Sequence, residues 1–474
     1  MASPSITIHG QAAISDDRHS HSHQDDGGLS PHALVLPFPV QGHIKPMMLL
    51  CKLLAKHHGF TISFLNTESN HKLIMEDVGP VAAAADDDDD DDDDDGNDDG
   101  NDDGHDDGHG GIMDKAIRLL CLPDPVLGPE DEHGDEVHPE SHLDKHHITL
   151  TKAFLSTERE ALEALVRAQR RPPVTCLILD FVAPAAAHEL GERLGIPRVF
   201  FFSASAASLR LGIRSGEVDG DEEMLLSFPL LPIPPHVLEP HDINPYLKVC
   251  GKPSDYMCRS FNALAREHVL QEGDTILIDT IEEVEPHSLG ELRKKEKPSI
   301  NVLPIGPLLD DDDDEQGCKH GAAAPPPPPA PPHMSLWKTN YSCQAWLDTH
   351  PPRSVLLVSF GSLVSLSPAQ LAELGLGFEM SGHRILWVIR PDQIIGTTDS
   401  CPPPLPDEFF VRNRARISVV PWLPQLRTLS HPSLAAFFTH CGWNSTLESL
   451  SAGVPMLAWP FFGDQMQNAR FVVD

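Results

Sequence analysis

The chain has 474 residues, 40% of them hydrophobic, and a formal net charge of −36. That length fits two domains with sizeable cores. Two tracts supply 22 of the excess negative charges: sixteen Asp within 86–107, and five Asp with one Glu within 310–315. A polyanion of this kind argues against nucleic acid as a partner and against an anionic membrane, since both call for basic patches. One nucleotide pyrophosphate asks for less, a helix N-terminus and a few local donors.

Residues 1–30 are polar and rich in Gly and His, and read as a disordered tail. The opening reads as neither a signal nor a transit peptide, and no apolar run reaches the length of a membrane span. The nine Cys are odd in number and hold no C-x-x-C pair. Reduced thiols in a cytoplasmic, soluble monomer are the expectation.

HALVLPFP (32–39) reads as a buried strand ended by Pro37 and Pro39. The turn VQGH follows, then a helix over IKPMMLLCKLLAKHH closed by Gly59. FTISFLNT (60–67) alternates like a strand, which completes a strand–helix–strand unit. VTCLILDF (174–181), RVFFFSAS (198–205), TILIDT (275–280) and INVLPIGPL (300–308) continue the pattern. An acidic and proline-rich linker occupies 310–335. Beyond it come the strand SVLLVSFGS (354–362) and a helix with Ser367 as N-cap and Pro368 at its first position. The short strands RILWVIR, ISVVP, LAAFFT and PMLAW then follow (384–459). The pattern predicts two Rossmann-like α/β domains, 31–309 with 86–107 inserted and 336–474, with a ligand cleft at the carboxyl ends of their strands.

The segment from Trp422 to Gln465 carries the strongest chemical signal. FFTHCGWNSTLES reads as a strand, a Gly turn and a helix whose N-terminus offers free N–H groups. His440, Asn444 and Ser445 add donors that suit a diphosphate. Glu448, one turn on, could take both hydroxyls of a ribose. Trp422 offers an aromatic face for a base, and Asp464 and Gln465 could grip sugar hydroxyls. Neither G-x-G-x-x-G nor a P-loop is present, which removes support from dinucleotide and P-loop readings.

This 44-residue segment resembles the signature box of plant family 1 UDP-glycosyltransferases, from Trp422 and Gln425 through HCGWNS to Glu448 and Asp464-Gln465. The resemblance implies an α/β GT-B fold and no metal cofactor. It implies that Trp422 stacks on uracil with Gln425 near the base edge, and that Glu448 holds the ribose. His440, Asn444 and Ser445 would hold the pyrophosphate, with Ser362 of the SFGS turn as a second phosphate contact. Trp443, Asp464 and Gln465 would hold the sugar, and Gln at 465 goes with glucose.

PHALVLPFPVQGHIKPM resembles the family's opening strand, loop and helix, which implies that His43 is the general base and Asp180 its carboxylate partner. His is the side chain whose ordinary pKa suits that task near neutrality. The expected reaction is an inverting transfer from UDP-glucose to a hydroxyl of a small-molecule acceptor.

The Asp tract replaces or splits the first-domain region that shapes the acceptor pocket in this family. The chain also ends nine residues after the box, where the family continues. The second domain is therefore expected to be incomplete, and a catalytically impaired UDP-sugar-binding protein is the alternative. A metal-buffering acidic protein, suggested by the Asp runs and 27 His, is a more distant one.

Overall fold

Runs of Val, Leu, Ile and Phe too short for helices form most of the strands, and the central parallel ones are buried on both faces. In the first sheet these are β1 (His32–Leu36), β2 (Thr61–Thr67), β3 (Ile112–Asp114), β4 (Ile117–Leu122), β5 (Cys176–Asp180), β6 (Arg198–Phe202), β7 (Thr275–Ile278) and β8 (Asn301–Pro304). Their order is β3-β4-β2-β1-β5-β6-β7-β8. The pairs are parallel except β3 with β4. The second sheet contains β9 (Val355–Ser359), β10 (Arg384–Val388), β11 (Ile417–Val420), β12 (Leu434–Thr439) and β13 (Met456–Ala458). It is parallel throughout, in the order β11-β10-β9-β12-β13. The computed structural model describes residues 31–78, 112–114, 116–122, 154, 157, 159–169, 172–210, 274–294, 300–309, 335–396 and 404–473. The N-terminal tail, the Asp tract and nearly all of the 310–335 linker lie outside them.

Side chains alternate between two cores on each sheet, as the pleat requires. Leu34, Leu36, Leu177, Leu179 and Phe200 pack on one face of the first sheet. Ala33, Val35, Ile62, Phe64, Ile178 and Phe201 pack on the other, against Met47 and Met48. In the second sheet Val358, Ile385 and Trp387 face one way, and Val355, Leu357 and Phe437 the other. Helices thus cover both faces of both sheets, the doubly wound arrangement. Among the described residues no helix is long and apolar enough to cross a membrane.

The helix α1 (Gln41–His58) begins three residues before the start expected from the sequence and takes in Gly42 and His43. Val40 is extended, and its carbonyl accepts from the N–H groups of His43 and Ile44. Pro46 lies inside the helix and has no N–H to give the carbonyl of Gly42. That carbonyl instead accepts the Asn444 side-chain amide at 2.9 Å. Gly59 ends the helix in the left-handed region at φ 65°.

Helices α2 (Glu68–Val78), α3 (Arg159–Ala168), α4 (Ala185–Leu194) and α5 (Pro286–Leu292) pack with the first sheet. The second has α6 (Ser342–Asp348), α7 (Pro368–Ser381), α8 (Asp407–Asn413), α9 (Gln425–Leu429), α10 (Trp443–Ala452) and α11 (Gln465–Val473). The α7 start has the expected Ser367 cap, here a full capping box with Gln370.

Candidate active site

In each sheet the strand order reverses once in the middle, between β1 and β5 and between β9 and β12. Chain leaving such neighbouring strands runs to opposite faces and opens a crevice at their carboxyl ends. His43 follows β1 and Asp180 ends β5. Ser362 follows β9 and His440 follows β12. All four therefore stand at the two crevices.

His43 and Asp180 meet although 137 positions separate them: Nδ1 of the imidazole lies 2.7 Å from Oδ2 of the carboxylate. The other carboxylate oxygen accepts the Val182 N–H at 2.9 Å, which fixes its orientation. Asp180 is 1% exposed, whereas the His43 side chain is 25% exposed. A buried carboxylate on Nδ1 fixes the tautomer that carries its proton there and frees Nε2 to accept one. The Phe38 ring packs edge-on to the imidazole at 5.2 Å. Burial pushes the Asp464 carboxyl up, opposed by its hydrogen bond from Asn468.

The α10 N-terminus follows Gly442, with Cys441 before it at φ 63°. His440 is packed between two glycines. A Cβ on either Gly361 or Gly442 would come within 2.4 Å of its Nε2. Burial, helped by the Arg390 charge, pushes its pKa down to about 3, so the ring is neutral. Among the described residues, its buried Nδ1 and the buried side-chain oxygen of Asn444 have no protein partner. Orphaned polar atoms at a helix start suit a polar ligand.

Gln425 donates to Ser445 at 2.8 Å and to Glu448 at 2.6 Å, which joins three of the expected donor residues in one network. Trp422 packs against Trp337, ring centroids 4.8 Å apart. Trp443, expected at the sugar, is buried, and its indole N–H donates to the Asp279 carbonyl at 2.7 Å. Gln465 turns its side-chain oxygen to the N–H groups of Phe461 and Phe462, at 2.8 and 3.2 Å. Asp464 accepts from Asn468 at 2.8 Å. Ser362 lies half-buried in the turn after β9.

The sequence reading passed over four residues at the site. Lys45 reaches Glu448 across the crevice at 2.8 Å. Asp279, just after β7, lines a small cavity together with Lys45 and Glu448, and burial raises its pKa to about 7. Trp337 covers Trp422, with the buried Arg390 guanidinium 5.4 Å from its ring centre. Arg390 also holds the SFGS turn through the carbonyls of Gly361 and Val364. A charged residue right after a strand was the only local signal for Asp279, and a charged residue early in a helix the only one for Lys45, because their partners lie far away in sequence.

Residues 337–474 match the family model "UDP-glucoronosyl and UDP-glucosyl transferase". Linamarin synthase 1 of Manihot esculenta is 30% identical over 456 residues, 94% of this chain and 83% of that protein. The 7-deoxyloganetin glucosyltransferase of Gardenia jasminoides is 31% identical over 455 residues, 93% of this chain and 83% of that one. Among solved structures, Phytolacca americana UGT2 complexed with UDP-2fluoro-glucose and pterostilbene has a TM-score of 0.62 and 26% identity. The match covers 93% of this chain and 83% of that one. A crystal structure of UDP-glucose: anthocyanidin 3-O-glucosyltransferase with UDP shares the fold at a TM-score of 0.65. Two Rossmann-like sheets that face each other across paired switch points, with relatives of this kind along most of the chain, make this protein a glycosyltransferase of GT-B fold that belongs to the plant family 1 UDP-glycosyltransferases.

Proposed function

We propose that the chain moves glucose from UDP-glucose to a hydroxyl of a small-molecule acceptor with inversion, giving a β-glucoside. The observation that carries this reading is the His43–Asp180 pair at 2.7 Å, with Nε2 free to accept a proton. The imidazole takes the acceptor's hydroxyl proton as the oxygen attacks the anomeric carbon opposite UDP. Asp180 stabilises the imidazolium so formed, in the manner of a Ser-His-Asp triad with the acceptor oxygen in place of serine. Positioning lowers the barrier further. The α10 N-terminus, with His440, Asn444 and Ser445, stabilises the charge growing on the departing diphosphate.

In this proposal Trp422 and Gln425 receive the base, Glu448 the ribose, Ser362 a phosphate, and Trp443, Asp464 and Gln465 the sugar. A base takes the Trp422 face only if Trp337 yields it. The protein acts as a cytoplasmic monomer and without a metal, so chelation by EDTA leaves turnover unchanged. The test is an acceptor panel that includes 7-deoxyloganetin and pterostilbene, the compounds named with its relatives. Product mass and the coupling of the anomeric proton are the readouts. An α-glucoside, or no transfer to any hydroxyl in a broad panel, contradicts the proposal.

A further inference from the structure

Helix α10 supplies four of the proposed donor residues, and three of them are bonded across the crevice. Trp443 donates to the Asp279 carbonyl at 2.7 Å, and Asn444 to the Gly42 carbonyl at 2.9 Å. Glu448 takes the Lys45 ammonium at 2.8 Å. The first two bonds end on backbone oxygens. The third joins two side chains, and it occupies the carboxylate that a donor ribose would need.

Glu448 is 6% exposed and Lys45 25% exposed. A carboxylate this buried is costly to leave without a partner. Both of its oxygens are engaged, Oε1 by Lys45 and Oε2 by Gln425 at 2.6 Å. The cavity between Lys45, Asp279, Asn444 and Glu448 has room for about one water molecule. A ribose that takes both oxygens of this carboxylate therefore has to displace the ammonium from Oε1. Lys45 also stands two positions after His43 on α1, so its release bears on the helix turn that carries the base.

We propose that Lys45 is a positioning residue that gates the ribose end of the donor site. Without donor it neutralises Glu448 and holds the two sheets together over the site. An entering nucleoside exchanges the ammonium for its two ribose hydroxyls. This rests on the donor reading above. The apparent affinity is then the intrinsic one reduced by the fraction of molecules whose gate is open. A gate closed in about nine molecules of ten lowers affinity about tenfold.

The test uses the whole chain with Lys45→Met, which keeps the apolar stem without the charge, and Lys45→Arg, which keeps a cation. Binding of UDP and of uridine is measured by calorimetry. Lys45→Met should bind both ligands about 5- to 10-fold more tightly, and Lys45→Arg like the wild type. The donor KM should fall by the same factor while the acceptor KM stays put. The melting temperature without ligand should drop, and the rise caused by UDP should grow. Lys45→Gln repeats the measurement if the Met variant is insoluble.

Equal affinity of wild type and Lys45→Met for both ligands overturns the gate alone. Weaker UDP binding with unchanged uridine binding also overturns it and assigns Lys45 to the diphosphate. Failure of the wild type and every variant to bind UDP overturns the donor reading, and the gate with it.

Discussion

Gly361→Ala puts two separable strains on the pocket of His440. The first is in the backbone. Gly361 has φ 70°, and an L-residue in the left-handed region costs roughly 1–2 kcal/mol. The second is overlap, because the new Cβ would lie 2.4 Å from Nε2 and 2.5 Å from Cε1 of the imidazole. Overpacking of a buried site costs typically about 1–3 kcal/mol. The turn cannot retreat easily, since Arg390 holds the carbonyls of Gly361 and Val364 from below. Together the substitution should cost about 2–5 kcal/mol, a large part of an ordinary domain's stability.

Gly442→Ala serves as the control. Its Cβ meets the same Nε2 at 2.4 Å, but φ there is −60°, open to any residue. Only the overlap, about 1–3 kcal/mol, should then appear. Urea unfolding followed by circular dichroism gives both values. Calorimetry with UDP should show weaker binding in both variants, as the imidazole is pushed out of place. A Gly361→Ala variant within about 0.5 kcal/mol of wild type would refute the packing account. Equal losses in the two variants would refute the backbone contribution.

Other outcomes are expected as well. Asp180→Asn keeps the shape beside His43 and removes the charge. At an effective dielectric constant near 20, a carboxylate about 4 Å from an imidazolium contributes about 4 kcal/mol. Partial exposure of His43 reduces this to about 2–3 kcal/mol, so kcat/KM should fall roughly 10²-fold. UDP affinity should hold, and a drop below fivefold speaks against the dyad. Asp279 holds its proton up to about pH 7 in the folded chain, against an ordinary 3.8. The folded state then binds more protons than the unfolded one. Stability from this group falls as pH rises from about 4 to about 7 and is level above. The melting temperature of Asp279→Asn should gain on the wild type across that window, and parallel curves would contradict the assignment. With Gln465 closing the box, kcat/KM should be higher for UDP-glucose than for UDP-galactose or UDP-glucuronate. A preference for either rival overturns the glucose assignment.

The fold was largely legible in the sequence because parallel strands buried on both faces are continuous apolar runs. HALVL, CLILD and LAAFFT stand out against polar turns for that reason. β4 did not stand out, since the Asp tract precedes it and Arg118 breaks the short apolar run IRLLCL. The sequence pattern places the α1 start three residues too late. GlyHis reads locally as a turn, and what satisfies the Gly42 carbonyl beside Pro46 is Asn444, 402 positions away.

The same distance explains what was missed at the site. The Lys45–Glu448 pair spans 403 positions, and Trp337 meets Trp422 only through the tertiary fold. The box spelled out a set of polar side chains, but not which were already bonded. Trp443 on Asp279 and Gln465 on the Phe461 and Phe462 amides are cases the spacing could not reveal.

The central claim is that His43 removes the acceptor's proton while the donor is held by the other sheet. His43→Ala tests it most directly, with turnover on UDP-glucose and an alcohol acceptor measured beside UDP affinity in one preparation. Loss of a general base costs on the order of 10²–10⁴-fold in rate. The account predicts a loss of that size with UDP affinity unchanged, and near-wild-type turnover in His43→Ala would contradict it.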